Sequence, residues 1–244
     1  MSKQLFYTKL APYYDRIYHY INFNKQTVFL SHVIKRFNKS KNNKILDVAC
    51  GTGIHADMLQ KRGFDVTGVD ISKEMINEAK KKNSNIRFIQ GDMKAFDLNE
   101  KFGIIICFFN SILYNKDEKE IKKTFLNFRR HLERGGILIF DTVDKSIGIG
   151  QEIVEYEYHH KNLDILYKPQ WKYSNAANRL DLEIEFRINN KVFHDSHLMG
   201  AFGIEELKQI LQKTGFEAFV LEKDFDSIKK YNSGSMKAVF VCRK

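Results

Sequence analysis

Before residue 142, five short apolar runs recur along the chain, and all but one gap between them carries helix-spaced apolar positions. An aromatic segment, 1–20, is interrupted by Pro12, which breaks any helix there. Residues 24–37 place Phe29, Leu30, Val33, Ile34 and Phe37 at helical spacing, and 38–43 is a polar link. Run 45–49 predicts a buried strand ending in a small-residue loop, then a helix closing at Gly63. Run 64–69 predicts a second strand closed by Asp70, with Ser72 placed to cap a helix carrying Met75, Ile76 and Ala79. Residues 86–89 form a short third strand before Gly91-Asp92-Met93. Run 104–109 is almost wholly apolar, as expected of a strand buried on both faces. Asp117 and Glu120 open a helix with Ile121, Phe125, Phe128 and Leu132 on one face. Gly135-Gly136 is expected to end that helix, and 136–141 to form the fifth strand. This alternation predicts a parallel sheet with right-handed crossovers.

The pattern then changes. Residues 152–196 alternate like half-exposed antiparallel strands: Ile153, Glu155, Tyr156 and Glu157, then Leu180, Leu182, Ile184 and Phe186, then Val192 and Phe193. Asn189-Asn190 reads as a hairpin turn. Helical spacing returns at 205–213, and strands are expected at 216–221 and 236–241. The expected architecture is one α/β domain over 1–244, with a helical cap at 1–43 and an antiparallel β insertion at 150–200 placed as a lid.

Composition narrows the function classes. With 244 residues, 43% hydrophobic and 29% charged, the chain can bury one domain core. No apolar run approaches the ~20 residues that span a bilayer, and no signal-peptide pattern opens the sequence. Cys50, Cys107 and Cys242 are far apart and imply no disulfide framework, so a cytoplasmic location is expected. The formal net charge of +10 invites a nucleic-acid reading. Its lysines are dispersed, however, and Lys80-Lys81-Lys82 falls at a helix C-terminus, where cations suit the dipole.

The chemistry concentrates at Asp47-Val48-Ala49-Cys50-Gly51-Thr52-Gly53. Gly51-x-Gly53-x-x-Ala56, with Asp70 further on, satisfies a dinucleotide fingerprint. Read from the acid, the same loop is Asp-x-Ala-x-Gly-x-Gly. Together with Asp70, Gly91-Asp92-Met93 and the terminal strand pair, it resembles the class I S-adenosylmethionine-dependent methyltransferases. Asp-Val-Ala-Cys-Gly-Thr-Gly-x-His, Gly-Asp-Met and Leu10-Ala11-x-Tyr13-Tyr14-Asp15-x-Ile17-Tyr18 are similar to the subgroup that contains amino-sugar N,N-dimethyltransferases. The resemblance covers roughly 7–141 and 202–242. It implies a Rossmann-like doubly wound sheet of seven strands, order 3-2-1-4-5-7-6, the last antiparallel, with the β insertion after strand 5.

The resemblance implies S-adenosylmethionine as cofactor and methyl transfer to a small molecule, with nitrogen favoured. An RNA acceptor stays open on the charge, and an oxidoreductase is the weaker alternative. Asp70 suits the ribose diol, since a carboxylate accepts two donors. Asp92 and the Met93 backbone suit the adenine amino group, with Ile71 and Met75 on the ring faces. Ala49, Cys50, Gly51 and Gly53 form the cradle for the methionine end, with Asp47 orienting the loop and His55 opening the next helix. Tyr14, Tyr18 and Phe108 are candidates to face the sulfonium, a cation that aromatic rings attract. Tyr14 and Tyr114 are the catalytic candidates. Tyr13, Asn110, Tyr114, Trp171 and His197 are the candidate acceptor contacts. In the amino-sugar enzymes a His stands where Tyr114 stands, and a phenol of ordinary pKa ~10 is a poor base near neutrality. No metal site is expected: His194 and His197 point to opposite faces of a strand. The oligomeric state is monomer or homodimer.

Overall fold

A computed structural model of the chain describes residues 4–145, 155–174, 176–232 and 235–244. In chain order the elements are α1 (Tyr14–Ile17), α2 (Phe23–Phe37), β1 (Lys44–Val48), α3 (Ile54–Gln60), β2 (Asp65–Asp70), α4 (Lys73–Lys82), β3 (Arg87–Gln90), β4 (Phe102–Cys107), α5 (Glu118–His131) and β5 (Leu132–Val143). They continue with β6 (Tyr156–His160), β7 (Leu163–Ser174), β8 (Arg179–Ile188), β9 (Lys191–Gly200), α6 (Ile204–Lys213), β10 (Glu217–Glu222) and β11 (Lys237–Arg243). The main sheet runs β3-β2-β1-β4-β5-β11-β10, with β1 to β5 parallel and β11 antiparallel to both its neighbours. This is the expected doubly wound order with its reversed last strand.

Alternation along the strands builds the two layers. Ile45, Ile104, Ile106, Ile137 and Ile139 face α2, α3 and α4, where they meet Leu30, Val33, Leu59 and Ile76. Leu46, Ile105, Leu138 and Phe140 face the other way, onto Ile121, Phe125 and Phe128 of α5 and Leu207, Ile210 and Leu211 of α6. Each of these side chains, once buried, contributes about 1.5–3 kcal/mol. The expected caps are present: Ser72 accepts from Met75 N, and Asp117 from Glu120 N.

Two details depart from the sequence pattern. Pro12 does not break a helix. It sits in the first turn of a 3-10 segment, Ala11–Tyr13, that leads into α1, where its missing N–H costs nothing. Gly135-Gly136 does not end α5 either. The helix stops at His131, and the glycines lie inside β5. Pairing with β4 jumps from Phe102–Leu132 to Ile104–Ile137, so the strand bulges there. Gly135 takes φ +77°, and a Cβ on Gly136 would sit 2.7 Å from the Gly103 carbonyl. A bulge signal and a helix stop look alike in sequence, because both need glycine.

The second sheet, β6-β7-β8-β9, is antiparallel throughout, and Asn189-Asn190 makes its two-residue turn with φ +51° at Asn189. Ile165, Tyr167, Leu180, Leu182, Ile184 and Phe186 turn one face of it onto the main core. Glu152 and Ile153, where the alternating pattern was expected to begin, lie outside the described residues.

Candidate active site

A cleft of about 950 Å³ opens at the C-terminal ends of β1, β2 and β4. Its floor is the loop after β1. Ala49, Gly51 and Gly53 all have positive φ, +56°, +54° and +77°. Asp70, at the end of β2, fixes this loop: its Oδ2 accepts from Gly51 N and its Oδ1 from Ser72 N, both at 2.8 Å. Burial raises the Asp70 carboxyl above its ordinary value, against the pull of those N–H groups. Asp47, at the end of β1, is 3% exposed, and its Oδ2 has no hydrogen-bond partner among the described residues. Burial, then the nearby Asp70 charge, pushes its carboxyl up to about 8, opposed by the Ala56 N–H.

One wall is the N-terminal segment. Ser72 Oγ donates to Tyr7 O at 2.5 Å, and Asp15 accepts from Thr52 Oγ1 and Lys82 Nζ, each at 2.5 Å. These bonds set Tyr7, Tyr14 and Tyr18 over the loop. Tyr14 and Tyr18 meet edge to face, ring centres 4.9 Å apart, and Tyr18 packs on Phe109 at 5.3 Å. Burial pushes the Tyr18 phenol up to about 12. His55 is enclosed by Phe23, Phe108 and Phe109, with its Nε2 2.8 Å from Gln26 Oε1. Burial drives it down to about 4, against the Asp141 charge, so it is neutral at physiological pH.

The opposite wall follows β4. Phe109 and Asn110 adopt positive φ in succession, +62° and +56°. That strained turn is held from below: Asn110 N donates to Asp141 Oδ1 at 2.9 Å, and Lys223 pairs with Asp141 and with Asn110 Oδ1. The turn continues into a 3-10 segment, Ser111–Tyr114, which presents Tyr114 to the cleft. The Tyr114 hydroxyl lies 2.9 Å from that of Tyr7 and 2.8 Å from His197 Nδ1.

Residues 45–136 match the family of the methyltransferase domain. Over 231 residues, 91% of this chain and 90% of the relative, the chain is 28% identical to YqeM of Bacillus subtilis, which carries a provisional methyltransferase assignment. It is 35% identical over 99 residues, 41% of this chain and 42% of the relative, to dTDP-3-amino-3,4,6-trideoxy-alpha-D-glucopyranose N,N-dimethyltransferase of Streptomyces venezuelae. The S-adenosylmethionine-bound amino pentose methyltransferase CalS10 of Micromonospora echinaspora superposes with a TM-score of 0.79, covering 100% of this chain and 99% of that one at 18% identity. The chain is a class I S-adenosylmethionine-dependent methyltransferase.

The cleft of this methyltransferase suits its cofactor on chemical grounds. Asp47 Oδ2 is a buried acceptor in want of a donor, as an ammonium would supply. A Cβ on Gly51 would come no closer than 3.9 Å to another residue, so the loop leaves open space toward Tyr14. Asp70 retains acceptor capacity beyond its two backbone bonds.

Most of the sequence candidates line the cleft: Tyr14, Tyr18, Asp47, Ala49, Cys50, Gly51, His55, Asp70, Ile71, Asp92, Met93, Phe108 and Tyr114. Others do not. Gly53 lies behind the loop, against Phe88. Met75 is 0% exposed on the inner face of α4 and is part of the core. Asn110 turns to Lys223 and Asp141, and Tyr13 and Trp171 pack on the core away from the cleft. His197 is also fully buried, one hydrogen bond removed from the cleft through Tyr114. Asp92 reaches the cleft with its Oδ1 already accepting from Lys94 N at 2.8 Å.

Sequence reasoning missed Tyr7 and Ser72 as lining residues. Tyr7 carried a signal in retrospect, as one of the aromatics of 1–20. Among the described residues, no group of three or more metal-binding side chains exists, and no helix is long and apolar enough to cross a membrane.

Proposed function

We propose that this methyltransferase transfers a methyl group to the nitrogen of a small-molecule amine. The observation that carries this reading is the enclosed acceptor side of the cleft, walled by the hydroxyls of Tyr7 and Tyr114 and by the rings of Tyr18 and Phe109. Hydroxyls can both donate to and accept from an amine, and the rings exclude water. The names of the amino-sugar relatives support nitrogen as the acceptor atom. Many lysines meet acids, as in Lys25–Asp226, Lys82–Asp15 and Lys94–Glu120, which favours a solvated basic surface over a phosphate track.

In this reading Asp47 faces the cofactor's ammonium, Asp70 its ribose hydroxyls, and Asp92 with the Met93 backbone its adenine. Tyr14, Tyr18 and Phe108 lie about the sulfonium, and the bound cofactor supplies an already activated methyl group. The protein's share is then mainly orientation, which yields up to ~7–11 kcal/mol in well-aligned cases. The N-terminal segment serves as a cap and the second sheet as a lid. The three unpaired cysteines agree with a cytoplasmic setting.

The test is a methyl-transfer screen over glycine, sarcosine, dTDP-linked amino sugars, nucleosides and tRNA, reading formation of the demethylated cofactor. Turnover with an amine is expected. Turnover confined to tRNA, or to oxygen or carbon acceptors, overturns the proposal.

A further inference from the structure

Behind Tyr114 the second sheet supplies a chain of polar groups that the cofactor cleft alone does not require. His197 and Asp195 stand two residues apart on β9, so both point to the same buried face, 0% and 8% exposed. His197 Nε2 lies 3.2 Å from Asp195 Oδ2, close but outside hydrogen-bond geometry. Asp195 is fixed in turn: its Oδ2 accepts from Phe6 N at 2.7 Å and its Oδ1 from Ser196 N at 2.9 Å. Tyr7 packs its ring against the imidazole, centres 5.2 Å apart. The hydroxyls of Tyr7 and Tyr114 therefore connect the cleft to an imidazole backed by a carboxylate.

We propose that Tyr114, His197 and Asp195 form a proton relay that takes up the proton released by the acceptor. The proposal rests on the amine reading above. The acceptor's N–H proton passes to Tyr114 Oη while the Tyr114 hydroxyl proton passes to His197 Nδ1. The nitrogen lone pair forms the new N–C bond, and the pair of the broken S–C bond stays on sulfur. The imidazolium that results is stabilised by Asp195 and gives its proton to solvent when product leaves. Tyr114 never has to exist as a phenolate.

This matters because burial holds the Tyr114 phenol well above its ordinary value, so it cannot serve as a base alone. A relay needs only that it pass one proton as it gains another. Burial also pushes the Asp195 carboxyl up, but His197 and the Phe6 and Ser196 N–H groups overcome this and leave it below its ordinary value. It is a carboxylate, able to hold the Nε2–H tautomer. The other titratable groups bearing on the relay are phenols, Tyr7, Tyr14 and Tyr18, with Asp70 acting on Tyr7. Tyr114 is the catalytic residue here; His197 and Asp195 act through it as positioning residues.

Two measurements test the relay. The first needs no acceptor. Nitrogen-15 NMR of histidine-labelled protein with S-adenosylhomocysteine should show His197 as the Nε2–H tautomer, and Asp195→Asn should shift it toward Nδ1–H. A wild-type Nδ1–H tautomer overturns the relay, because that nitrogen could not then receive a proton. The second uses dTDP-3-amino-3,6-dideoxyglucose as the amine probe. His197→Gln keeps an acceptor for the Tyr114 hydroxyl but cannot carry the proton. It should lower kcat about 100-fold with KM and S-adenosylhomocysteine affinity unchanged, and remove the acid limb of the kcat–pH profile. Tyr114→Phe should lose as much, and the double variant no more. A His197→Gln kcat within about three-fold of wild type, or losses that multiply in the double variant, overturns the relay. If no amine turns over, the amine reading fails and the relay written on it falls with it, whereas amine turnover with a wild-type Nδ1–H tautomer removes the relay alone.

Discussion

Replacing Asp47 with Asn should make the protein without cofactor more stable, increasingly so as the pH rises. Burial sets the folded-state carboxyl at about 8 against an ordinary 3.8. A carboxyl raised on folding favours the folded chain most at low pH, and that advantage is lost as pH climbs through the folded value. At pH 7 the unfolded chain has released this proton over about three pH units in which the folded chain keeps it. At 1.36 kcal/mol per unit, the cost to the folded state is on the order of 4 kcal/mol. Asn keeps an oxygen for the Ala56 N–H and carries no charge. For a domain of this size 1 kcal/mol moves Tm by about 2–4 °C, so the variant's Tm advantage should grow by about 8–16 °C between low and neutral pH. The assay is thermal unfolding of both proteins across pH. Other carboxylates are common to both and drop out of the difference, except Asp70, whose charge acts on Asp47 and so belongs to the effect being read. The growth should run from about pH 4 to about pH 8 and then level off. A difference in Tm that is flat across that window would refute the reasoning.

Three further outcomes follow from the same geometry. Ala49→Gly should stabilise by about 0.5–1 kcal/mol in urea unfolding, since φ +56° strains alanine by ~1–2 kcal/mol and glycine gives part of this back as unfolded-state entropy; no gain would mean the loop stores no strain there. Asp141→Ala should cost about 3–5 kcal/mol by leaving the mostly buried Lys223 ammonium without its carboxylate, whereas Asp141→Leu with Lys223→Met should cost much less; equal losses would show that the pair itself carries the stability. Asp70→Ala should weaken S-adenosylmethionine binding about 100-fold or more by calorimetry, because it removes the proposed ribose acceptor and releases Gly51 N and Ser72 N; unchanged affinity would place the ribose elsewhere.

The main sheet was legible because its signals are local. Each strand is an apolar run, α2, α4 and α5 start on capping side chains, and the Asp47–Gly53 loop and Asp70 announce a ligand site within 24 residues of sequence. What escaped depends on distance along the chain or on ambiguous chemistry. Met75 at helical spacing looks the same whether it meets a ligand or a core, and here the core takes it. Asn110 follows the fourth strand, as a cleft residue should, but the Asp141–Lys223 ion pair, from two later stretches of chain, turns it away. Tyr114 alone looked like a poor substitute for histidine. Nothing in its neighbourhood reveals that a histidine 83 residues later comes to rest on its hydroxyl.

That separation bears on how this enzyme could be rebuilt. Tyr7, Tyr114 and His197 meet at one point, yet they stand 107 and 83 positions apart in turn. The second sheet looks like a cassette that could be exchanged between relatives to change what is methylated. A chimaera carrying a foreign cassette alone would set an unmatched side chain against the resident tyrosines. On the proposed reading, transplanting acceptor preference means moving three stretches together, and directed evolution confined to any one of them would lack its two counterparts.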